Sequence, residues 1–188
     1  MESTATTCLI DDLELAQGVF GRIASDLGVI LDREIVIETV EAGRESQRAA
    51  GERSVHISFR LGVQVGERST QGCLLVPLAE AVTLAGYMLM LTDDQVAHER
   101  CRTELDEPFK EALLEVGKFL AAACQTVLRR VVSEATRTRS EGCQGVRAGV
   151  RPAFTYEEGD ELIVARARAR VHDFEPCELI LMLPADLL

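Results

Sequence analysis

Glu104–Val132, ELDEPFKEALLEVGKFLAAACQTVLRRVV, is the longest stretch of unbroken helical periodicity in the chain, and it decides the fold. Phe109, Leu113, Val116, Leu120, Ala123, Val127 and Val131 recur at steps of three and four, which places them on one stripe of an α-helix. Pro108 stands near the start, where a missing N–H costs little, and Asp106 and Glu107 suit the positive end of the helix dipole. Arg129 and Arg130 complement the negative end. Turned away from the stripe lie Glu111, Glu115, Lys118, Ala122, Gln125 and Arg129, which form either a solvated face or a working one.

Outward from this helix, the chain reads as alternating helices and strands. Asp11 or Asp12 caps a first helix to about Leu27, with Gly28 as its stop. Glu34–Glu41, EIVIETVE, is rich in β-branched residues and reads as a strand, and Ala42–Arg53 as a loop. Ser54–Val65, SVHISFRLGVQV, alternates. Val55, Ile57, Phe59, Leu61, Val63 and Val65 point one way, and Ser54, His56, Ser58, Arg60 and Gln64 point to water or to another element. Gly66–Ser69 is a turn and Gly72–Val76 a short strand. Pro77 opens a helix to Leu91, and Thr92 or Asp93 caps a short helix, DDQVAHER.

After the long helix, Ser140–Gly149 reads as a connection because it holds three glycines. Gly149–Thr155 reads as an edge strand interrupted by Pro152, and Tyr156–Asp160 as a turn. Glu161–His172 is a second long alternating strand, and Glu178–Leu183 an apolar one. The expected architecture is α+β, an antiparallel-rich sheet covered by long amphipathic helices. Residues 1–188 read as a single domain with a flexible lead over residues 1–8 and no internal repeat.

The bulk chemistry narrows the function. A formal charge of −11 speaks against a general nucleic-acid binder, since phosphate neutralisation needs an excess of Lys and Arg. No apolar run reaches the roughly 20 residues that span a bilayer, so no membrane association is expected. The N-terminus has acids where a signal peptide needs a basic region, which makes a cytoplasmic protein the expectation. Six scattered cysteines without a C-x-x-C pair imply buried, reduced thiols and no metal or other cofactor.

Two stretches together, QGCLLVPLAEAVTLAGYMLML and DEPFKEALLEVGKFLAAACQTVL, resemble the CheC/CheX/FliY phosphatases of bacterial chemotaxis. The order of elements from Leu13 to Leu183 is similar too, in particular to the CheX branch, which carries one active-site helix rather than two. In that family the helix bears Glu-x-x-Asn, often with an acidic residue or Ser four places before the Glu. The resemblance puts the family's glutamate on Glu115, the acidic position on Glu111 and the asparagine position on Lys118.

It implies docking of a CheY-type response-regulator receiver domain, with the glutamate engaging the regulator's lysine and a carboxamide orienting the attacking water. An ammonium donates hydrogen bonds and accepts none, so Lys118 cannot orient water as Asn does. The expectation is a receiver-docking protein, with active aspartyl-phosphate hydrolysis as the alternative. Ala122 leaves room for a close partner. Gln125 could replace the Asn only across about two turns, roughly 15 Å along the axis. The strand edges, and the resemblance, also leave homodimerisation open.

Two further patterns stand apart. Arg166, Arg168 and Arg170 alternate with alanines in VARARARVH and share one face of a strand, with His172 continuing the row. They suit an acidic partner or phosphate, or else pair across strands with Glu or Asp. Arg44-x-x-x-Arg48 followed by Glu67-x-Ser69-x-x-Gly72 loosely resembles the PilZ signature, which implies a cyclic-di-GMP sensor as a second alternative.

Overall fold

The computed structural model describes residues 11–156 and 159–188. The expected lead at 1–8, Cys8 and the tip of the turn at 157–158 lie outside these residues. The elements are α1 (Asp12–Leu31), β1 (Ile35–Glu45), β2 (His56–Val65), β3 (Arg68–Pro77), α2 (Leu78–Met88), α3 (Asp93–Glu99), α4 (Glu107–Val131), β4 (Arg137–Val146), β5 (Leu162–Val171) and β6 (Cys177–Pro184). All six strands pair antiparallel in one sheet, in the order β1-β5-β6-β3-β2-β4. The α+β class expected from the sequence is the class observed. Among the described residues no helix is long and apolar enough to cross a membrane.

The helices begin where local chemistry places them. The Asp106 carboxylate accepts the Phe109 N–H at the start of α4, with Pro108 in the first turn, and Asp11 accepts the Glu14 N–H at the start of α1. The Phe109 amide, then the Arg102 guanidinium, hold the Asp106 carboxyl below the usual range. Gly28 does not stop α1. The helix runs one turn further, to Leu31, which is buried, and Asp32 closes it in the left-handed conformation at φ 51.

The helices lie on one face of the sheet. Phe20, Phe59, Leu61, Leu74, Leu113, Leu120 and Leu128 are fully buried between them, each contributing roughly 1.5–3 kcal/mol of hydrophobic stabilisation. The other face is closed over one half only. There the segments 46–55 and 147–156, joined by the Gly149 N–H donating to Gly51 O, cover Cys73, Leu75, Leu162, Val164, Ile180 and Met182.

The second layer decides between the two readings of the other face of β2. His56 and Ser58 lie under another element, because the segments cover that face, whereas Val55 departs from its expected inward place, lying before the strand and exposed. Two further expectations change. Segment 149–155 is not a strand, since Pro152 and the packing of Phe154 hold it as an irregular cover. The loop expected at Ala42–Arg53 starts later, because β1 continues to Glu45 against β5.

The largest correction is β4. The three glycines that suggest a connection lie in or beside an edge strand. Gly142, at φ 90, falls where the register against β2 shifts between Phe59/Cys143 and Leu61/Ser140, so it marks a bulge rather than a turn.

With β4 in place, a repeat emerges that the sequence pattern does not reveal. The order α-β-β-β occurs twice, as α1-β1-β2-β3 and α4-β4-β5-β6. Exchanging β1 with β4, β2 with β5 and β3 with β6 reverses the sheet order onto itself, which is a two-fold arrangement. Each repeat's helix packs on its own edge strand, α1 on β1 and α4 on β4, and the two helices pack on each other.

Candidate functional site

An open groove of about 860 Å³ runs between α4, the end of α2 and the free-edge side of β4. Glu111, Leu114, Glu115, Lys118, Ala122 and Gln125 line it from α4, Met88 and Leu89 from α2, and Thr138, Arg139, Ser140 and Gly142 from β4. The α4 residues Glu111, Glu115, Lys118, Ala122 and Gln125, which the sequence places on one face, therefore reach one surface. The helix can lie this close to the strand because Gly117 faces it. A Cβ on Gly117 would stand 2.9 Å from Ser140 Oγ and 3.3 Å from a Phe59 ring carbon.

Within the groove the side chains are already partnered. Lys118 Nζ donates to Glu115 Oε1 at 2.6 Å, and both side chains are more than half exposed. Such a pair is worth a few tenths of a kcal/mol, so an incoming partner can open it at little cost. Arg139 pairs with Glu141 at 2.9 Å. Glu111 has no ion-pair partner among the described residues.

Gln125 is half-buried, and its Oε1 accepts the Thr138 N–H at 2.9 Å. That bond satisfies a donor on the edge of β4 which has no neighbouring strand. Gln125 is thus tied to the sheet, away from the Glu115–Lys118 pair.

The three arginines of β5 project from the opposite face of the sheet, beyond the loop-covered half. Arg168 donates to Glu38 at 2.8 Å, Arg166 lies 3.9 Å from Glu45 and 3.8 Å from Glu178, and Arg170 lies 3.9 Å from Glu34. The acidic partners stand on or beside β1 and β6, so the row is part of a cross-strand lattice of charge. His172 follows the strand at φ 51 and carries its ring toward Asp93, 3.7 Å away. The arginines of the PilZ-like pattern do not converge. Arg44 grips Asp12 at 2.8 and 3.1 Å, and Arg48 donates to Pro152 O beside Phe154 and Tyr156.

Two features have no signal in the sequence pattern. The first is the counterpart of the α4 pair on α1. The buried residues Leu15, Ala16, Val19, Phe20, Ile23 and Leu27 follow the same spacing as Val116, Gly117, Leu120, Ala121, Cys124 and Leu128. In that alignment Glu14 and Gln17, both exposed, occupy the places of Glu115 and Lys118. The second is Met90. The Met90 and Leu91 N–H groups donate to Tyr87 O and Gly86 O, closing α2 in the manner that usually takes a glycine at Met90's position. Met90 stands at φ 60, a conformation that costs a residue with a Cβ about 1–2 kcal/mol.

Among the described cysteines, Cys73 and Cys124 are buried, and burial pushes both thiols up to about 12. Cys143 and Cys177 are partly buried. Cys101 departs from the expected burial and is exposed.

No family profile matches the chain, and no curated protein matches it in sequence. Solved structures do match. FliY of Thermotoga maritima superposes with a TM-score of 0.67 at 16% identity, covering 93% of this chain and 88% of that one. The FliM middle domain from H. pylori gives 0.63 at 10%, covering 93% and 90%. The chemotaxis protein CheX from Desulfovibrio desulfuricans gives 0.58 at 11%, covering 90% and 97%. The chain has the fold of the CheC/CheX/FliY/FliM superfamily, and the T. maritima FliY and H. pylori FliM chains superpose on it at higher scores than the D. desulfuricans CheX does. At these identities the likeness is one of fold.

Proposed function

We propose that this chain is a cytoplasmic, single-domain chemotaxis-type signalling protein of the CheX kind, which docks a phosphorylated CheY-type receiver domain on the exposed face of α4 without hydrolysing its aspartyl phosphate efficiently. The observation that carries this reading is the Glu115–Lys118 pair at the groove. Glu115 stands where the family resemblance calls for a glutamate, and a cation stands where it calls for a water-orienting carboxamide. Lys118 can hold phosphoryl oxygens by charge but accepts no hydrogen bond from water. Small residues beneath the pair, Ala121 and Ala122, let a partner approach the helix backbone. Use of the fold as a protein-binding module has a precedent in the FliG–FliM complex from H. pylori, which contains a chain of similar structure.

The test is decay of a phosphorylated CheY-type receiver from the same organism, read together with binding. The wild type is expected to bind the receiver and leave its decay rate unchanged. Glu115→Ala should weaken binding about tenfold, and Lys118→Asn should accelerate decay. Acceleration by the wild type that vanishes in Glu115→Ala would make the α4 face an active phosphatase site and overturn this reading.

One observation favours a second, enzymatic reading. The two-fold partner of α4 carries Glu14-x-x-Gln17, and a glutamine carboxamide both donates and accepts hydrogen bonds. Hydrolysis by the wild type that survives Glu115→Ala and is lost in Gln17→Ala would assign the chemistry to α1.

A further inference from the structure

The end of α2 holds a side chain that folding alone does not explain. Met90 occupies a left-handed position that glycine fills without strain, and its side chain is 92% exposed. It follows directly on Leu89, which is 37% exposed and lines the groove together with Leu114, itself 44% exposed. Leu89 and Leu114 thus give the groove two large, partly exposed apolar side chains, and Met90 is the next residue beyond that lining, where α2 ends. Methionine, unbranched and polarizable, packs against irregular surfaces better than other apolar residues. In the same lining Glu111 is the one charge without a countercharge among the described residues, since Glu115 has Lys118 and Arg139 has Glu141.

We infer that Met90 anchors the docking face. The partner lays an apolar side chain across Met90, Leu89 and Leu114 and sets a lysine or arginine on Glu111. This inference rests on the docking reading and specifies the partner's chemistry, a cationic and apolar segment on the surface of the receiver domain. In the free protein a strained backbone and an exposed apolar side chain coincide at one residue, and the complex is where both are offset. The remaining charge on the groove then selects among apolar surfaces, because a partner without a cation would bury Glu111 uncompensated.

Met90→Gly separates this role from a structural one. Glycine relieves the left-handed strain, so Tm should stay level or rise, while affinity for a beryllofluoride-activated receiver should fall about tenfold or more. Glu111→Gln should weaken binding about threefold to tenfold at low salt and less at high salt. Hydrogen exchange on the wild-type complex should show protection at both 111–122 and 88–91. Protection at 111–122 with unchanged affinity in Met90→Gly would overturn the anchor and leave the docking reading standing. A receiver that leaves 111–122 unprotected, or does not bind, would overturn both. A lower Tm in Met90→Gly would assign Met90 to the fold and overturn the anchor.

Discussion

α1 and α4 occupy equivalent places in a two-fold arrangement, end on the same turn and bury side chains at the same spacing, yet they present different chemistry to solvent. On α4, which begins about a turn and a half earlier in the repeat, Glu115 is neutralised by Lys118. On α1, Glu14 and Gln17 show no hydrogen bond between their side chains, and Asp12 beside them is taken up by Arg44. Packing constrains one stripe of each helix and leaves the other free to diverge. A repeat can therefore persist in burial after it has faded from the sequence.

The strongest test of this comparison is in the core. Leu15→Ala and Leu120→Ala, one on each helix and both almost fully buried, should each destabilise the protein by about 2–5 kcal/mol in urea unfolding. A cost confined to one helix would break the equivalence.

A smaller difference should appear where the helices meet their strands. Gly117→Ala places a Cβ against Ser140 and Phe59 and should cost about 1–3 kcal/mol, whereas α1 already carries Ala16 at that place, fully buried. Ala16→Gly should cost about 1 kcal/mol through helix propensity and lost packing. Equal costs would mean that α4 sits no closer to its strand than α1 does.

Thiol chemistry reports on the same burial. With its thiol pushed up to about 12, Cys124 stays protonated at pH 8, and its thiolate fraction is about a thousandfold below that of a thiol at the ordinary value of 9.0. Iodoacetamide should label exposed Cys101 in the native protein, and Cys124 only on unfolding. Early labelling of Cys124 would show α4 opening locally. The smallest effect is expected at the surface. A double-mutant cycle on Glu115 and Lys118 should give about 0.5 kcal/mol or less, declining with salt.

Much of this architecture is legible in the amino-acid sequence. The stripe of α4, the alternation of β2 and β5, the capping chemistry at 11–12 and 92–93 and the acids at the start of α4 are local patterns whose meaning needs no distant partner. β4 is not legible, because RTRSEGCQGV holds few apolar residues and no clear alternation, whereas β1, at the other edge of the sheet, is rich in β-branched residues. The glycines of β4 serve a bulge and read as a turn when taken alone. The polar face of β2 stays undecided in the sequence for a related reason. Whether His56 and Ser58 meet water depends on a cover contributed by segments distant in the chain.

The candidate site divides in the same way. Glu111, Glu115 and Lys118 can be found because helical spacing alone puts them on one face away from the stripe. Gln17 and Met90 cannot, since the first gains meaning from a symmetry of the sheet and the second from the way α2 closes. Periodicity, charge and capping chemistry determined the principal helices, most of the strands and the α+β class, because these depend on residues within a few positions of one another. The tertiary structure alone decided the order of the six strands, the two-fold relation of α1 to α4, the layer over the second face and the exposure of Met90. Each of these depends on contacts between residues far apart in the chain, which local pattern does not encode.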